Sequence, residues 1–271
     1  MPNENKILLR QLNPLLDLSF SNVSIDHEGY HATAAWPVNI LALVLEDGGG
    51  NYYENLTGNQ RLPILADHVY LIPCGLRMRF EESPPRTVIS LHFNLTFLQG
   101  FDIFSSVARC EARRDPALVA RIRALLDEPD ELKAVCALKM EVMRFCLSCW
   151  PENLRRPTPA LQRKYEPLFR FVREHGDASL TVGALAAMAG QRPNVFSRNF
   201  SRDIGKAPKD LLQGDLLKKV AARLLAPGAS VKQVAEELKF CSEFYLSRFF
   251  KKRTGLSPSD YQRRFRHRCC G

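Results

Sequence analysis

The sequence has no apolar run near the ~20 residues that a membrane helix needs, so no membrane partner is expected. Its first stretch, MPNENKILLRQLNPLLDL, is broken by Glu4, Lys6, Arg10 and Asp17 and lacks the apolar segment of a secretory signal. No P-loop, G-x-S-x-G or H-E-x-x-H string occurs, and no nucleophile is paired with a base. No catalytic residue and no cofactor is therefore assigned, and the chain is not read as an enzyme. The eight cysteines, Cys269 and Cys270 in the basic tail among them, are scattered and show no paired framework, which favours free thiols in a reducing cytoplasm. Cys146-Leu-Ser-Cys149 is a C-x-x-C string, but it sits on a helical stretch with no second pair, so metal or redox work is not expected there.

What the chain does have is charge asymmetry. Of 271 residues, positions 161–271 hold 22 Lys/Arg and 10 Asp/Glu, a net of +12. Positions 1–160 hold 16 basic and 19 acidic residues, a net of −3. A compact basic module beside a mildly acidic one is the pattern of a nucleic-acid binder that carries a sensor or assembly domain.

Residues 20–97 read as strands and turns. DGGGN (47–51) and TGNQ (57–60) punctuate the apolar runs NILALVLE (39–46), LPILADHVYLIP (62–73) and TVISLHFNL (87–95), which suggests an antiparallel sandwich or barrel. From residue 116 the period becomes helical. Leu118, Ile122, Leu125 and Leu126 fit one helix face. Val135, Leu138, Val142, Phe145 and Cys149 then form a two-heptad seam, which either packs on its own domain or pairs with a second subunit. PENLRRPTP (151–159), with three prolines and no periodicity, reads as a linker.

The strongest signal is an internal repeat. FSRNFSRDIGKAPKD (196–210) and LSRFFKKRTGLSPSD (246–260) share Ser, Arg, Phe, Gly, Pro and Asp without a gap. Upstream, LTVGALAAMAG (180–190) parallels SVKQVAEELKF (230–240). Thr181 and Ser230 suit N-caps, Ala186 and Ala235 allow close helix crossing, and Gly190 permits a positive-φ turn. Gly205 and Gly255 suit helix C-termini. Helix, tight turn, helix is a DNA-binding plan, here present twice, and KDLLQGDLLKKVAARLL (209–225) would join the copies.

Each second helix needs a polar outward stripe to read base edges. Asn194, Ser197 and Arg198 supply it in the first copy, and Glu243, Phe244, Ser247 and Arg248 in the second. Thr181, Arg202, Lys206, Ser230, Lys251, Lys252 and Arg253 suit phosphate contacts. The plainer alternative is that these are solvated helix faces.

The C-terminal constellation resembles the DNA-binding module of the AraC/XylS family of bacterial transcription regulators. Its carriers are the F-S-R-x-F string at 196–200 and G-L-S-P-x-x-Y at 255–261. The resemblance implies two helix-turn-helix units on adjacent major grooves of double-stranded DNA, with activation through RNA polymerase. Three departures stand out: Arg192 where Ser or Thr is usual, Lys239 where Gly is usual, and an apolar Leu216–Leu217 where an Arg is common.

The N-terminal half is similar to the family's cupin-type sensor domain, through DHEGYH (26–31), ADHVYLIPCGLRMRF (66–80) and LHFNL (91–95). Metal-binding cupins place His where Met78 stands, and His27, His31, His68 and His92 are not grouped as H-x-H, so no metal is expected. Such a barrel would hold a small-molecule effector, with Trp36, Arg77, Arg79 and His92 as inward candidates.

The fold expected is thus α+β and multidomain. Residues 1–100 form a cupin-like antiparallel β-barrel, 101–150 a helical packing or dimerisation segment, 151–160 a linker, and 161–271 an all-α double helix-turn-helix. The function expected is an effector-responsive activator in the cytoplasm, reading DNA with helices near 193–203 and 243–253, with a homodimer suggested through Val135, Leu138, Val142 and Phe145. A metal-dependent cupin enzyme and a protein-binding adaptor are the rival readings.

Overall fold

The structure, a computed structural model, describes residues 16–98, 101–152 and 159–266. The proline-rich stretch 151–160 falls mostly outside them, as do Cys269 and Cys270.

Two antiparallel sheets face each other. The first runs β1 (Asp17–Asp26), β8 (Arg86–Leu98), β3 (Asn39–Asp47), β6 (His68–Ile72), β10 (Glu111–Arg114), with the short β9 (Phe101–Asp102) beside β8. The second runs β2 (Tyr30–Ala35), β7 (Arg77–Glu82), β4 (Tyr52–Asn55), β5 (Gln60–Pro63). This is the cupin-like architecture expected, in the form of a sandwich of separate sheets.

The first sheet is apolar on both faces, which explains why NILALVLE is a continuous apolar run where one solvated face would give alternation. Ile40, Ala42, Val44, Tyr70 and Ile72 point into the sandwich. Leu41, Leu43, Val69, Leu71, Ile89 and Leu91 point the other way. Two helices cover that second face: α1 (Pro116–Leu126), capped by Asp115, and α2 (Glu131–Ser148), capped by Asp130. Here the dimer expectation is corrected. Leu138, Val142 and Phe145 are buried in this core, whereas Val135 is exposed at 43% and is not part of it. The a/d seam is used inside the chain, because an apolar sheet face must be covered by some apolar row and this is the one adjacent in sequence.

The C-terminal part is helical: α3 (Pro159–His175), α4 (Val182–Met188), α5 (Pro193–Ile204), α6 (Pro208–Leu225), α7 (Val231–Glu237), α8 (Glu243–Thr254) and α9 (Pro258–Arg266). Each unit has its own aromatic centre. Tyr165 meets Phe200 edge-on at 5.1 Å between centroids in the first, and Phe250 meets Tyr261 at 5.1 Å in the second. The first centre is continuous with the α1/α2 side of the sandwich, and the second with the sandwich interior.

The repeat is also local chemistry. Thr181 accepts from the Ala184 amide at 3.2 Å, and Ser230 forms a full capping box with Gln233. Ser242 caps α8, but its counterpart Arg192 leaves α5 without a side-chain cap. An Arg192→Ser chain should therefore gain about 1 kcal/mol, read as a higher urea midpoint at unchanged slope. The turn between α4 and α5 passes through Gly190 at φ 63°, whereas the equivalent turn between α7 and α8 forces Lys239 to φ 53°. Lys239 bears that left-handed conformation with its ammonium 2.9 Å from Asp177.

Candidate nucleic-acid interface

α5 and α8 are built alike. Every fourth residue from Phe196 and from Leu246 is buried, so Phe196, Phe200, Leu246 and Phe250 anchor the helices. The opposite faces are open. On α5, Asn194, Arg198 and Arg202 are exposed and Ser197 is half-buried. On α8, Phe244 is 71% exposed, Arg248, Lys251 and Lys252 are exposed, and Glu243 and Ser247 are half-buried. The Ser197 hydroxyl donates to the Pro193 carbonyl at 2.8 Å, which leaves its oxygen to accept from a base. Arg198 and Arg248 have the length and the planar fork to address a guanine edge. Tyr245, half-exposed beside Phe244, is an addition to this surface that the repeat did not single out.

The residues assigned to phosphate divide into two groups. Thr181 and Ser230 are exposed at the starts of α4 and α7, at the positive ends of those helices, and Arg202, Lys251 and Lys252 are exposed on the outer side. Lys206 and Arg253 are placed differently from expectation. Arg253 turns back onto the connecting helix, bonding Gln213 and lying 4.2 Å over the Phe249 ring. Lys206 lines a cleft between the helical module and the sandwich, where burial lowers its pKa. Lys206 lies past the end of α5, where the chain has turned inward to start α6, and Arg253 lies in the last turn of α8 on the side that faces α6.

That cleft measures about 690 Å³. Trp36, Phe169, Leu211 and Leu217 supply apolar wall, and four cationic side chains, Lys206 and Lys218 among them, share the lining with Asp17, Asp102, Asp210 and Asp215. Cys74 lies there too, its thiol pushed up to about 12 by burial, so it is no nucleophile.

Two of the four effector candidates point inward and two do not. Trp36 and His92 are buried, with ring centroids 5.4 Å apart. Arg77 and Arg79 stand on the outer face of β7, and Arg79 pairs there with Glu54 at 2.6 Å. Strand alternation is the reason: Met78 and Phe80 take the inward positions.

The sandwich interior is filled by the chain itself. From α9, Phe265 stacks edge-on to Trp36 at 5.3 Å and lies 5.2 Å from His92. Arg264 bonds Asp26 at 2.8 Å across 238 residues of sequence. Gly255 makes this approach feasible. Its φ of 77° needs glycine, and a Cβ there would overlap the Thr33 carbonyl of β2. No motif pointed to this contact.

Burial drives the His92 imidazole down to about 3, with the Arg264 charge a lesser cause. The unfolded chain protonates this residue near 6.5, so between about 6.5 and 3 the unfolded state holds the extra proton. Stability contributed by neutral His92 is full above that range and lost as pH falls. Between pH 7 and 5.5 the loss should be about 1 kcal/mol, and His92→Gln should flatten that slope in urea titrations.

Residues 185–264 match the family model described as a helix-turn-helix domain. An uncharacterised helix-turn-helix transcriptional regulator of Bacillus subtilis, YobQ, is 24% identical over 206 residues, covering 76% of this chain and 80% of that protein. The XylDLEGF operon transcriptional activator 1 of Pseudomonas putida is 28% identical over 103 residues, 37% of this chain and 31% of that protein. Among solved structures, unsaturated fatty acid-bound ToxT of Vibrio cholerae superposes with a TM-score of 0.61 at 11% identity, covering 92% of this chain and 95% of that one, a likeness of fold. With the duplicated units, their exposed stripes and the sandwich in front of them, these findings show a DNA-binding transcription regulator that carries a helix-turn-helix domain over residues 185–264.

Proposed function

We propose that the chain is an effector-responsive activator that places α5 and α8 in two adjacent major grooves of double-stranded DNA and contacts RNA polymerase. The observation that carries this is the duplicated outward stripe: Asn194, Ser197 and Arg198 on one helix, and Glu243, Phe244, Ser247 and Arg248 on the other, each backed by a buried phenylalanine pair or its Leu/Phe equivalent. Thr181, Arg202, Ser230, Lys251 and Lys252 hold the phosphates on either side. Residues 161–271 are the DNA-binding domain in this reading, and 1–100 the sensor. No described helix is long and apolar enough to cross a membrane. The reading has no catalytic step.

The effector site in this reading is the 690 Å³ cleft, a volume in the range that small ligands occupy. Its apolar wall beside charged groups of both signs suits a small amphipathic ligand; ToxT, alike in fold, is known with an unsaturated fatty acid bound. A homodimer would need a surface other than the seam of α2, and sedimentation measures whether one forms. Selection of bound sequences from random duplexes tests the reading as a whole. Two short preferred blocks about one helical turn apart, ~34 Å, are expected. A single block, or none, would overturn it.

A further inference from the structure

The sandwich interior is closely packed except beside α9. A void of about 40 Å³ remains there, with Tyr30, Trp36, Phe80, Arg86, His92 and Phe265 in its walls. That is room for about three water molecules or one compound of similar bulk. Three polar atoms of these walls, Tyr30 Oη, Arg86 Nε and His92 Nδ1, have no hydrogen-bond partner among the described residues. Their residues are 8%, 3% and 3% exposed, so bulk solvent does not satisfy them. Buried polar groups are paired in nearly all folded proteins, and three unpaired ones around a single void point to a ligand.

All three groups are held in place by their neighbours. Arg86 bonds Asp26 at 3.0 Å and Glu82 at 2.6 Å. The Tyr30 ring packs on Phe80, 5.2 Å away between centroids, and on the Arg264 guanidinium, 3.5 Å from its centroid. His92 packs on Trp36 at 5.4 Å and on Phe265 at 5.2 Å. Groups fixed in this way bind with little ordering cost. Their hydrogen-bond inventory then selects the ligand. Arg86 Nε only donates and needs an acceptor. The Tyr30 hydroxyl donates or accepts, and His92 Nδ1 does one or the other according to its tautomer. Hydroxyl groups meet all three demands. A carboxylate would face Asp26 and Glu82, which line the same void, and an ammonium would face Arg86 and Arg264 and offer Arg86 no acceptor. A neutral compound with hydroxyls on adjacent carbons fits, its C–H groups against Trp36, Phe80 and Phe265.

We propose that this void is a binding site for a small neutral diol, and that the bound diol holds α9 against the sandwich. The site stands apart from the 690 Å³ cleft, although Trp36 lines both. Arg264 and Phe265 of α9 form one of its walls, so the diol adds contacts across the joint between the sandwich and the second helix-turn-helix unit. A ligand that touches both sides of a joint shifts the equilibrium toward the joined arrangement. The binding is independent of DNA; its consequence for DNA rests on the function proposed above.

The test titrates the full-length chain with ethylene glycol, followed by saturation-transfer NMR. The control is 1-propanol, which has a methyl group in place of one hydroxyl. With four non-hydrogen atoms, ethylene glycol can bind no tighter than about 40 µM, so the titration extends to tens of millimolar. Ethylene glycol should saturate and should bind about tenfold more tightly than 1-propanol, which leaves buried groups unpaired. Amide exchange in α9 should slow with ethylene glycol and not with 1-propanol. Tyr30→Phe removes a hydroxyl that bonds nothing else among the described residues, so the fold should persist while ethylene glycol binds about tenfold more weakly. Ala42→Val narrows the void from β3 and should abolish binding. Should Ala42→Val not fold, Tyr30→Phe supplies the answer by itself. Equal binding of the two alcohols, a response that does not saturate, or unchanged affinity in Tyr30→Phe would overturn the site and leave the void to water. Saturable binding without slower exchange in α9 would overturn the hold on the second unit. None of these readouts involves DNA, so each stands whichever way the selection of bound duplexes turns out.

Discussion

Operator binding will weaken about a thousandfold between 50 and 200 mM salt, the loss expected of a protein that neutralises about six phosphates. The cause is release of condensed counterions, and the module that does it carries the net +12 of residues 161–271. Single replacements should then sort by role. Arg202→Ala and Lys252→Ala, on exposed side chains, should weaken all sequences alike and lower the salt slope by about one each. Arg198→Ala and Arg248→Ala should cost about 1–3 kcal/mol on the preferred sequence and little on random duplex, relaxing one position in each block. Arg253→Ala should behave differently again. Its guanidinium is turned to Gln213 and Phe249, so the change should lower stability more than it alters the salt slope. Gel-shift titrations at several salt concentrations separate these patterns. Equal loss on every sequence for all the variants would end the assignment of α5 and α8 as reading helices.

Phe250→Ala should remove about 3–5 kcal/mol of stability, because a fully buried ring with an edge-on Tyr261 partner is replaced by a cavity. Phe200→Ala should cost a similar amount in the first unit, where Tyr165 and Phe169 surround the ring. The two losses should have different reach. Phe200 belongs to the core that runs into the α1/α2 side of the sandwich, and Phe250 to the one that runs into its interior. Phe250→Ala should therefore also loosen the packing around Trp36 and shift its fluorescence, with the first DNA block still protected in footprints. Phe200→Ala should leave that fluorescence unchanged and lose the first block. Both variants losing both blocks would show that the units fold as one.

The helix-turn-helix pair was legible because each copy is locally determined. A cap, a short apolar helix, a turn residue and a second helix lie within about forty residues, and the same logic appears twice. Even its weak points were visible. Arg192 cannot cap α5, and Lys239 occupies a turn that demands positive φ. The strands of the first sheet were visible as apolar runs, and the helical period from residue 116 appears as α1 and α2. Side-chain direction was less so. Arg77 and Arg79 looked like ligand groups until strand register placed Met78 and Phe80 inside. The seam on α2 could cover a sheet or a partner, and only the apolar outer face of the first sheet decided between them.

By itself, then, the sequence determined the duplicated DNA-binding module, its polar stripes and the basic charge behind them, since these depend on spacings of three or four residues along single helices. Tertiary structure alone decided what fills the sandwich. The Arg264–Asp26 pair joins residues 238 apart, and Gly255 opposite Thr33 has meaning only when two distant elements touch. The physical reason is that hydrogen bonds and burial within one helix repeat with the chain's own period, whereas a contact between remote surfaces leaves no period to read.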